Sequence, residues 1–537
     1  MASVRCVDDA LGITLNDNGR LLRNIIHGAD TIMSHILHFY HLSAVDFIDV
    51  SALGSPWGPQ FGVLSNANML PIDVKNIIYG NCIVLNYVKA LDIRRDAHTL
   101  GSIFSGRQPI QNAIVPGGVS CMVTKTDIDT ARTLCNRIRN FINTAYIIDV
   151  VTAATATHAL NNAATYWTVG TNPGHLLAYG EYPFQNVPFK ANTDYLISQG
   201  TVNFVGLPNR ANLDPTNIRE RVTYSYYSSP DNRHPSAGVT TPLSDSTTPT
   251  LAFAQDFGPQ YSWIKSPRYS SLPHEVGPLA RMVATYVANV QVVNLHTVSD
   301  TAGGVTPLGV APSNYTARNL VDTAIGLVNA YLGSFGPINV THLFSPLGRH
   351  AARALECKYI ADALSGSIDG IANNSWLDQL TLVPATDWTA GDGGTPNNVA
   401  FGYTYVQIPK KLTLMGTGLT EAPRGALGHW MTIEDQKIAN YQCVVPTTWN
   451  NGPRSSGGVS PVRGSAESAL FGIPVCTGDP TLSGNLNDAV LNISRMLHPY
   501  DFCIACAVHV VTPEGKELAK FKIDTDGKIT KYPVDSE

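Results

Sequence analysis

An apolar stripe near the start of the chain narrows the possible folds more than any other feature. After Asn18, the residues Leu21, Leu22, Ile25, Ile26, Ala29, Ile32, Met33, Ile36 and Leu37 recur at helical spacing. The spacing predicts a long helix that buries one face. Similar patterns predict helices around 74–90, 127–151, 279–293, 317–332 and 347–364, whereas residues 195–210 and 400–415 alternate more as strands do. The expected fold class is therefore mainly α with smaller β regions, an α+β body. Ser/Thr/Pro/Gly-rich stretches at 228–250, 299–315, 386–398 and 451–466 are short enough to be loops within one body.

Hydrophobic residues make up 44% of the 537 residues and charged residues only 14%, against roughly 25% charged in an ordinary soluble chain. A large core follows, together with apolar surface that would invite aggregation unless a partner covered it. A permanent complex is expected. The net charge of -5 comes with no Lys/Arg cluster interleaved with aromatics, which excludes a nucleic-acid groove. No apolar run reaches about 18 residues, and the opening Met1 to Asp9 lacks the charged and apolar regions of a signal peptide, so neither a membrane span nor self-directed export is expected. Nine cysteines, odd in number and mostly scattered, argue against a disulfide framework.

Only Cys503 and Cys506 lie close together, in the run Asp501-Phe502-Cys503-Ile504-Ala505-Cys506-Ala507-Val508-His509. Two thiolates at this spacing can converge on one centre, and soft sulfur selects nickel, iron, zinc or copper over magnesium or calcium. A thioredoxin-like redox pair or half of a structural zinc site uses the same spacing. The remaining cysteines are single, so no second zinc knuckle is apparent.

The surrounding blocks decide among these readings. Asp8-Asp9-Ala10-Leu11-Gly12, Ser34-His35-Ile36-Leu37-His38-Phe39-Tyr40-His41-Leu42, Val115-Pro116-Gly117-Gly118-Val119 and Tyr261-Ser262-Trp263-Ile264-Lys265-Ser266-Pro267-Arg268 come first. Glu275-Val276-Gly277-Pro278-Leu279-Ala280-Arg281, Leu347-Gly348-Arg349, Glu421-Ala422-Pro423-Arg424-Gly425-Ala426-Leu427-Gly428-His429-Trp430 and Val445-Pro446-Thr447-Thr448-Trp449-Asn450 follow, in family order. Together with the Cys503 cluster, these resemble the large subunits of nickel-iron hydrogenases along the whole chain. The resemblance implies that family's fold, with a central bundle of long helices. It also implies reversible heterolytic oxidation of H2 to protons and electrons, which leave through iron-sulfur clusters held only in a small partner subunit.

The resemblance further implies roles residue by residue. Cys503 would be the terminal nickel ligand and a proton acceptor, and Cys506 a thiolate bridging nickel to an iron that carries carbon monoxide and cyanide. Arg424, after Pro423, would hold its guanidinium over the open metal position, oriented by Asp501. Thr447 would hydrogen-bond a cyanide. His509 and the backbone carbonyl of Asn451 would bind a magnesium ion, and Leu42 would line a constriction of the gas path. His27, His35, His38 and His41 would be structural. Cysteine at position 503 indicates the nickel-iron variety rather than the selenocysteine one.

The body would span 1–509, with 510–537 a propeptide removed between His509 and Val510 by a maturation endopeptidase after nickel chaperones have delivered the metal. The resembling group is exported with its small subunit, which implies a periplasmic or periplasm-facing site and a cytochrome- or quinone-linked acceptor. Three departures stand out. Ser34 lies where many members have aspartate, Ile110-Gln111 where a His-Pro pair is common, and Phe502 where proline precedes the first cysteine. The family's Arg-Ile-Cys-Gly-x-Cys segment, which supplies the other two thiolates, would lie just ahead of Met1, and DNA upstream is expected to encode it. The competing expectation is a non-catalytic, hydrogenase-like scaffold or an inactive fragment with half of the metal ligands.

Overall fold

The computed structural model describes residues 1–47, 83–151, 153, 170, 174–186, 194–204, 208–242, 260–289, 317–332, 338–364, 375–382, 399–404, 407–456, 462–471, 486–502, 520–523 and 529–532. Helix dominates, as expected. Helix α1 covers Ala2–Leu11, and α2 covers Asp17–Leu37, where the apolar stripe predicted it. Asn16 caps α2 by accepting the Gly19 N–H at 2.7 Å. A π-helical turn, His38–Ser43, then continues the same axis.

Helix α3 (Ile83–Ser105) extends well past the Ala90 expected for it. Asp92, Arg94, Arg95 and Asp96 interrupt its apolar pattern, and the part of the prediction at 74–82 lies outside the described residues. Helix α4 (Lys125–Phe141) starts at a capping box formed by Thr124 and Asp127 and passes into a π-turn at Ile142–Tyr146. Helices α5 (Pro278–Ala288), α6 (Ala317–Leu332) and α7 (Pro346–Leu364) follow the predicted ranges, except that α5 ends at the left-handed Asn289. Helix α2 packs on α3 and α7, and α7 packs on α5. One core cluster joins them, built from residues such as Leu22, Ile26, Ile36, Phe39, Leu279, Val283, Leu355 and Ile360.

The strands form small antiparallel sheets around this bundle. In one, β1 (Ile114–Val115) pairs with β2 (Gly118–Thr124), which pairs with β3 (Val399–Tyr403). The other three-stranded sheet that bears on the site is a meander of β4 (Thr413–Ala422), β5 (Gly425–Glu434) and β6 (Lys437–Val444). Helix α1 lies directly across β4. A Cβ built at Gly416 would meet the Cys6 carbonyl at 1.9 Å and one at Gly418 would meet that of Ala2 at 2.0 Å, so only glycine permits the approach. Strands Lys520–Ile523 and Ile529–Tyr532 pair with each other near the chain's end.

Candidate functional site

The β4–β5 hairpin turns in two residues. Ala422 pairs with Gly425, which leaves Pro423 and Arg424 at the tip. The tip residues Pro423 and Arg424 are half-buried, so their backbone needs partners that water does not fully supply. Arg281, on the first turn of α5 and 1% exposed, supplies them. Its Nη1 donates to the Ala422 carbonyl at 2.9 Å and to Glu421 Oε2 at 3.0 Å. Its Nη2 donates to the Pro423 carbonyl at 2.9 Å and to Glu356 Oε2 at 2.8 Å, while Nε donates to Glu356 Oε1. All five guanidinium N–H groups are used. The two carboxylates outweigh the burial that would lower its pKa, and hold Arg281 above the ordinary arginine value.

Glu421 is fixed in turn. Its Oε1 accepts the Tyr179 N–H, and its own N–H donates to Glu181 Oε2 at 2.8 Å. Glu181 pairs with Arg5 of α1 and accepts from the Thr420 hydroxyl at 2.6 Å. Burial alone would raise the Glu181 pKa, but Arg5 and His27 lower it to about 2. At Glu421 burial prevails over Arg281, and the carboxyl is pushed up to about 7.

Helix α7 supports the opposite side. Arg349, Arg353 and Glu356 lie at i, i+4 and i+7, hence on one face. Arg349 grips Glu275 through Nε at 2.7 Å and Nη2 at 2.8 Å, and its guanidinium carbon sits 4.3 Å from the centre of the Tyr500 ring. Tyr500 stacks on Phe502 at 5.3 Å. Arg353 donates to the Pro499 carbonyl at 2.8 Å. The segment 498–500 is thereby anchored, and it ends at Asp501, whose φ of 57° turns the chain through a left-handed residue. Sequence reasoning missed this role of α7 and that of Arg281. The charge spacing was present, but spacing alone does not separate a buried charged face from a solvated one.

Arg424 and Asp501 meet between these supports, as their assignment from sequence requires. Arg424 Nε lies 3.2 Å from Asp501 Oδ1, with side chains 33% and 1% exposed. Among the described residues neither Asp501 oxygen has a hydrogen-bond partner, although His38 Nε2 stands 3.7 Å away. A buried carboxylate without hydrogen bonds needs a cation or a ligand near it. Pro423 precedes Arg424 at the hairpin tip. Thr447 is buried on the short helix α8 (Pro446–Asn451), which Asn450 locks to Val276 through two 2.9 Å hydrogen bonds. Asn451 is exposed, and Leu42 is half-buried in the π-turn. Cys503, Cys506, His509 and Val510 lie outside the described residues.

The four histidines of the α2 region all have partners. His27 donates to the Glu421 carbonyl at 2.7 Å, His38 to the His498 carbonyl at 2.7 Å and His41 to the Tyr87 carbonyl at 3.2 Å, while His35 meets Glu356 at 2.9 Å. Among the described residues no cluster of three or more His, Cys, Asp or Glu side chains could hold a metal, and no helix is long and apolar enough to cross a membrane. The donor set nevertheless suits a soft metal pair. Cys503 and Cys506 lie two and five residues after Asp501 in sequence, and a guanidinium with a buried counter-carboxylate stands at Asp501.

Comparison with known proteins gives the family of the chain. The family model described as nickel-dependent hydrogenase matches residues 1–56 and 76–509. The uptake hydrogenase large subunit of Rhizobium leguminosarum bv. viciae is 30% identical, over 97% of this chain and 86% of its own. The periplasmic [NiFeSe] hydrogenase large subunit of Desulfomicrobium baculatum is 31% identical, over 97% and 84%. Among solved structures, the reduced, active Ni-Fe-Se hydrogenase of Desulfomicrobium baculatum superposes with a TM-score of 0.67 at 28% identity, covering 95% of this chain and 86% of that one. The reduced Ni-Fe-Se hydrogenase of D. vulgaris Hildenborough gives 0.66 at 29%, with 95% and 85% covered. The chain therefore belongs to the nickel-dependent hydrogenase family.

Proposed function

We propose that this hydrogenase large subunit splits and forms H2 heterolytically at a nickel-iron centre held by Cys503 and Cys506, with Arg424 as the main catalytic residue that is not a metal ligand. The observation that carries the proposal is the Arg424–Asp501 pair, 3.2 Å apart and two residues before Cys503. When bound, the metal pair supplies an acceptor for the electron pair of the H–H bond. Arg424 presents a planar donor fork, so it stabilises developing negative charge with little reorganisation. Asp501 orients that fork. The Cys503 thiolate receives the proton. Thr447 would donate its hydroxyl to a cyanide on iron, because a buried anionic diatomic needs a donor.

In the same reading, His509 and the Asn451 carbonyl hold magnesium, Leu42 narrows the gas path, and an endopeptidase removes 510–537 after His509. Electrons leave through iron-sulfur clusters of a small subunit to a cytochrome- or quinone-linked acceptor, in a periplasmic or periplasm-facing complex. The periplasmic location named for the Desulfomicrobium relative supports that last point. The presence of Cys503, Cys506 and Arg424 favours catalysis over a scaffold role. Elemental analysis of the purified complex, combined with HD formation from H2 in D2O, tests the proposal. Nickel and iron with HD formation are expected. Zinc without nickel, or nickel without HD formation, overturns it.

A further inference from the structure

The established family accounts for a reaction at the metal centre. It does not say what aims the Arg424 guanidinium. The hydrogen bond that closes a β-hairpin does not fix the orientation of the peptide planes at its tip, which usually point their carbonyls to water. Here both tip carbonyls that precede Arg424, those of Ala422 and Pro423, accept hydrogen bonds from one guanidinium at 2.9 Å. That guanidinium is immobilised by Glu356 on one side and Glu421 on the other. Glu356 is tied to α2 through His35.

The backbone entering Arg424 is therefore held from three directions: α5, α7 and the hairpin itself. The Arg424 side chain, in contrast, is one-third exposed and ion-pairs only with Asp501 among the described residues. Its direction depends on where its Cα is held.

We propose that Arg281 is the positioning residue for Arg424, fixing the Pro423–Arg424 peptide so that the guanidinium points at the metal site. The inference rests on the function proposed above for Arg424. A lysine at 281 keeps the charge that Glu356 and Glu421 require, but it offers three donors from a single nitrogen and cannot hold two carboxylates and two carbonyls at once. The hairpin tip then relaxes. A misplacement of about 1 Å lowers rates by up to about a hundredfold.

The test is a double-mutant cycle in the complete complex using Arg281→Lys, Arg424→Lys and both together, with kcat expressed per bound nickel. Arg281→Lys is expected to lower kcat by about tenfold to a hundredfold with the KM for H2 near that of the parent. In the Arg424→Lys background it should then add less than about threefold, because the residue it aims has gone. A second readout needs no metal. In the unloaded subunit, the Arg424 and Gly425 amides should exchange at least about tenfold faster in Arg281→Lys than in the parent.

Multiplying losses in the double variant, an unchanged kcat, or unchanged amide exchange would each overturn the inference. If Arg281→Lys yields no folded subunit, Glu356→Gln carries the same cycle. It leaves Arg281 in place but removes the charge that immobilises it, and it should show the same non-additivity at smaller size. A parent complex with nickel but no H2 chemistry would overturn the proposed function instead, and amide exchange would still report on Arg281.

Discussion

Gly425, the residue after Arg424, offers the sharpest test of how tightly the hairpin tip is seated. Its φ is +136°, a region that L side chains rarely adopt. A Cβ there would lie 2.6 Å from Val276 Cγ2, 2.7 Å from the Gly277 nitrogen and 3.0 Å from the Val276 carbonyl carbon. Two of these three neighbours are backbone and cannot rotate away. The unfavourable backbone region contributes about 1–3 kcal/mol, and overpacking a further 1–3 kcal/mol or so. Gly425→Ala should therefore destabilise by about 2–6 kcal/mol unless the tip retreats from Val276, and retreat would draw Arg424 away from its place.

A metal-loaded complex does not unfold as a two-state system, so the fitting assay is thermal inactivation half-life together with kcat per nickel. Gly326→Ala is the control, because an added Cβ at that exposed position on α6 meets nothing within 4 Å. It should be neutral or slightly stabilising. The reasoning is refuted if Gly425→Ala matches Gly326→Ala in half-life and keeps parental kcat.

Other outcomes follow from the same geometry. Glu181 and Glu356 both sit at about 2 against an ordinary value of 4.5. Their folded values are depressed, so each contributes stability above pH 4.5, on the order of 3 kcal/mol, that is lost as pH falls toward 2. Denaturation midpoints should drop steeply below pH 4.5 and less steeply in Glu181→Gln, and a flat profile would contradict this. Cys503→Ser should abolish H2 turnover, since a hydroxyl neither ionises readily nor binds nickel softly, and retention of more than a few per cent would remove Cys503 from the ligands. Intact mass of the active subunit should place its last residue at His509. An active subunit still ending at Glu537 would give the tail another role.

Much of the helical body was legible from sequence because apolar periodicity is a local signal. The α2 stripe marked Asp17–Leu37 closely, and α7 was found at Pro346–Leu364. The extent of α3 was not, since charges from Asp92 to Asp96 break its pattern although Asp96 itself is buried. The π-turns after α2 and α4 left no periodic trace. Arg424 and Asp501 were legible through the family motifs, and the structure brings them together. Their supports were not. Arg281, Arg349, Glu275 and Glu181 are buried charges whose partners lie 74 to 176 residues away in the chain, and their separate positions in sequence do not say which carboxylate meets which guanidinium. Such pairs become visible only when α5, α7, α1 and the hairpin are packed.

Arg424→Lys in the complete complex tests the central claim most directly. Nickel and iron should remain near parental levels while H2 turnover falls by tenfold or more, because a lysine keeps the charge but not the planar fork. Metal content falling in parallel with rate would contradict the account and make Arg424 a structural residue.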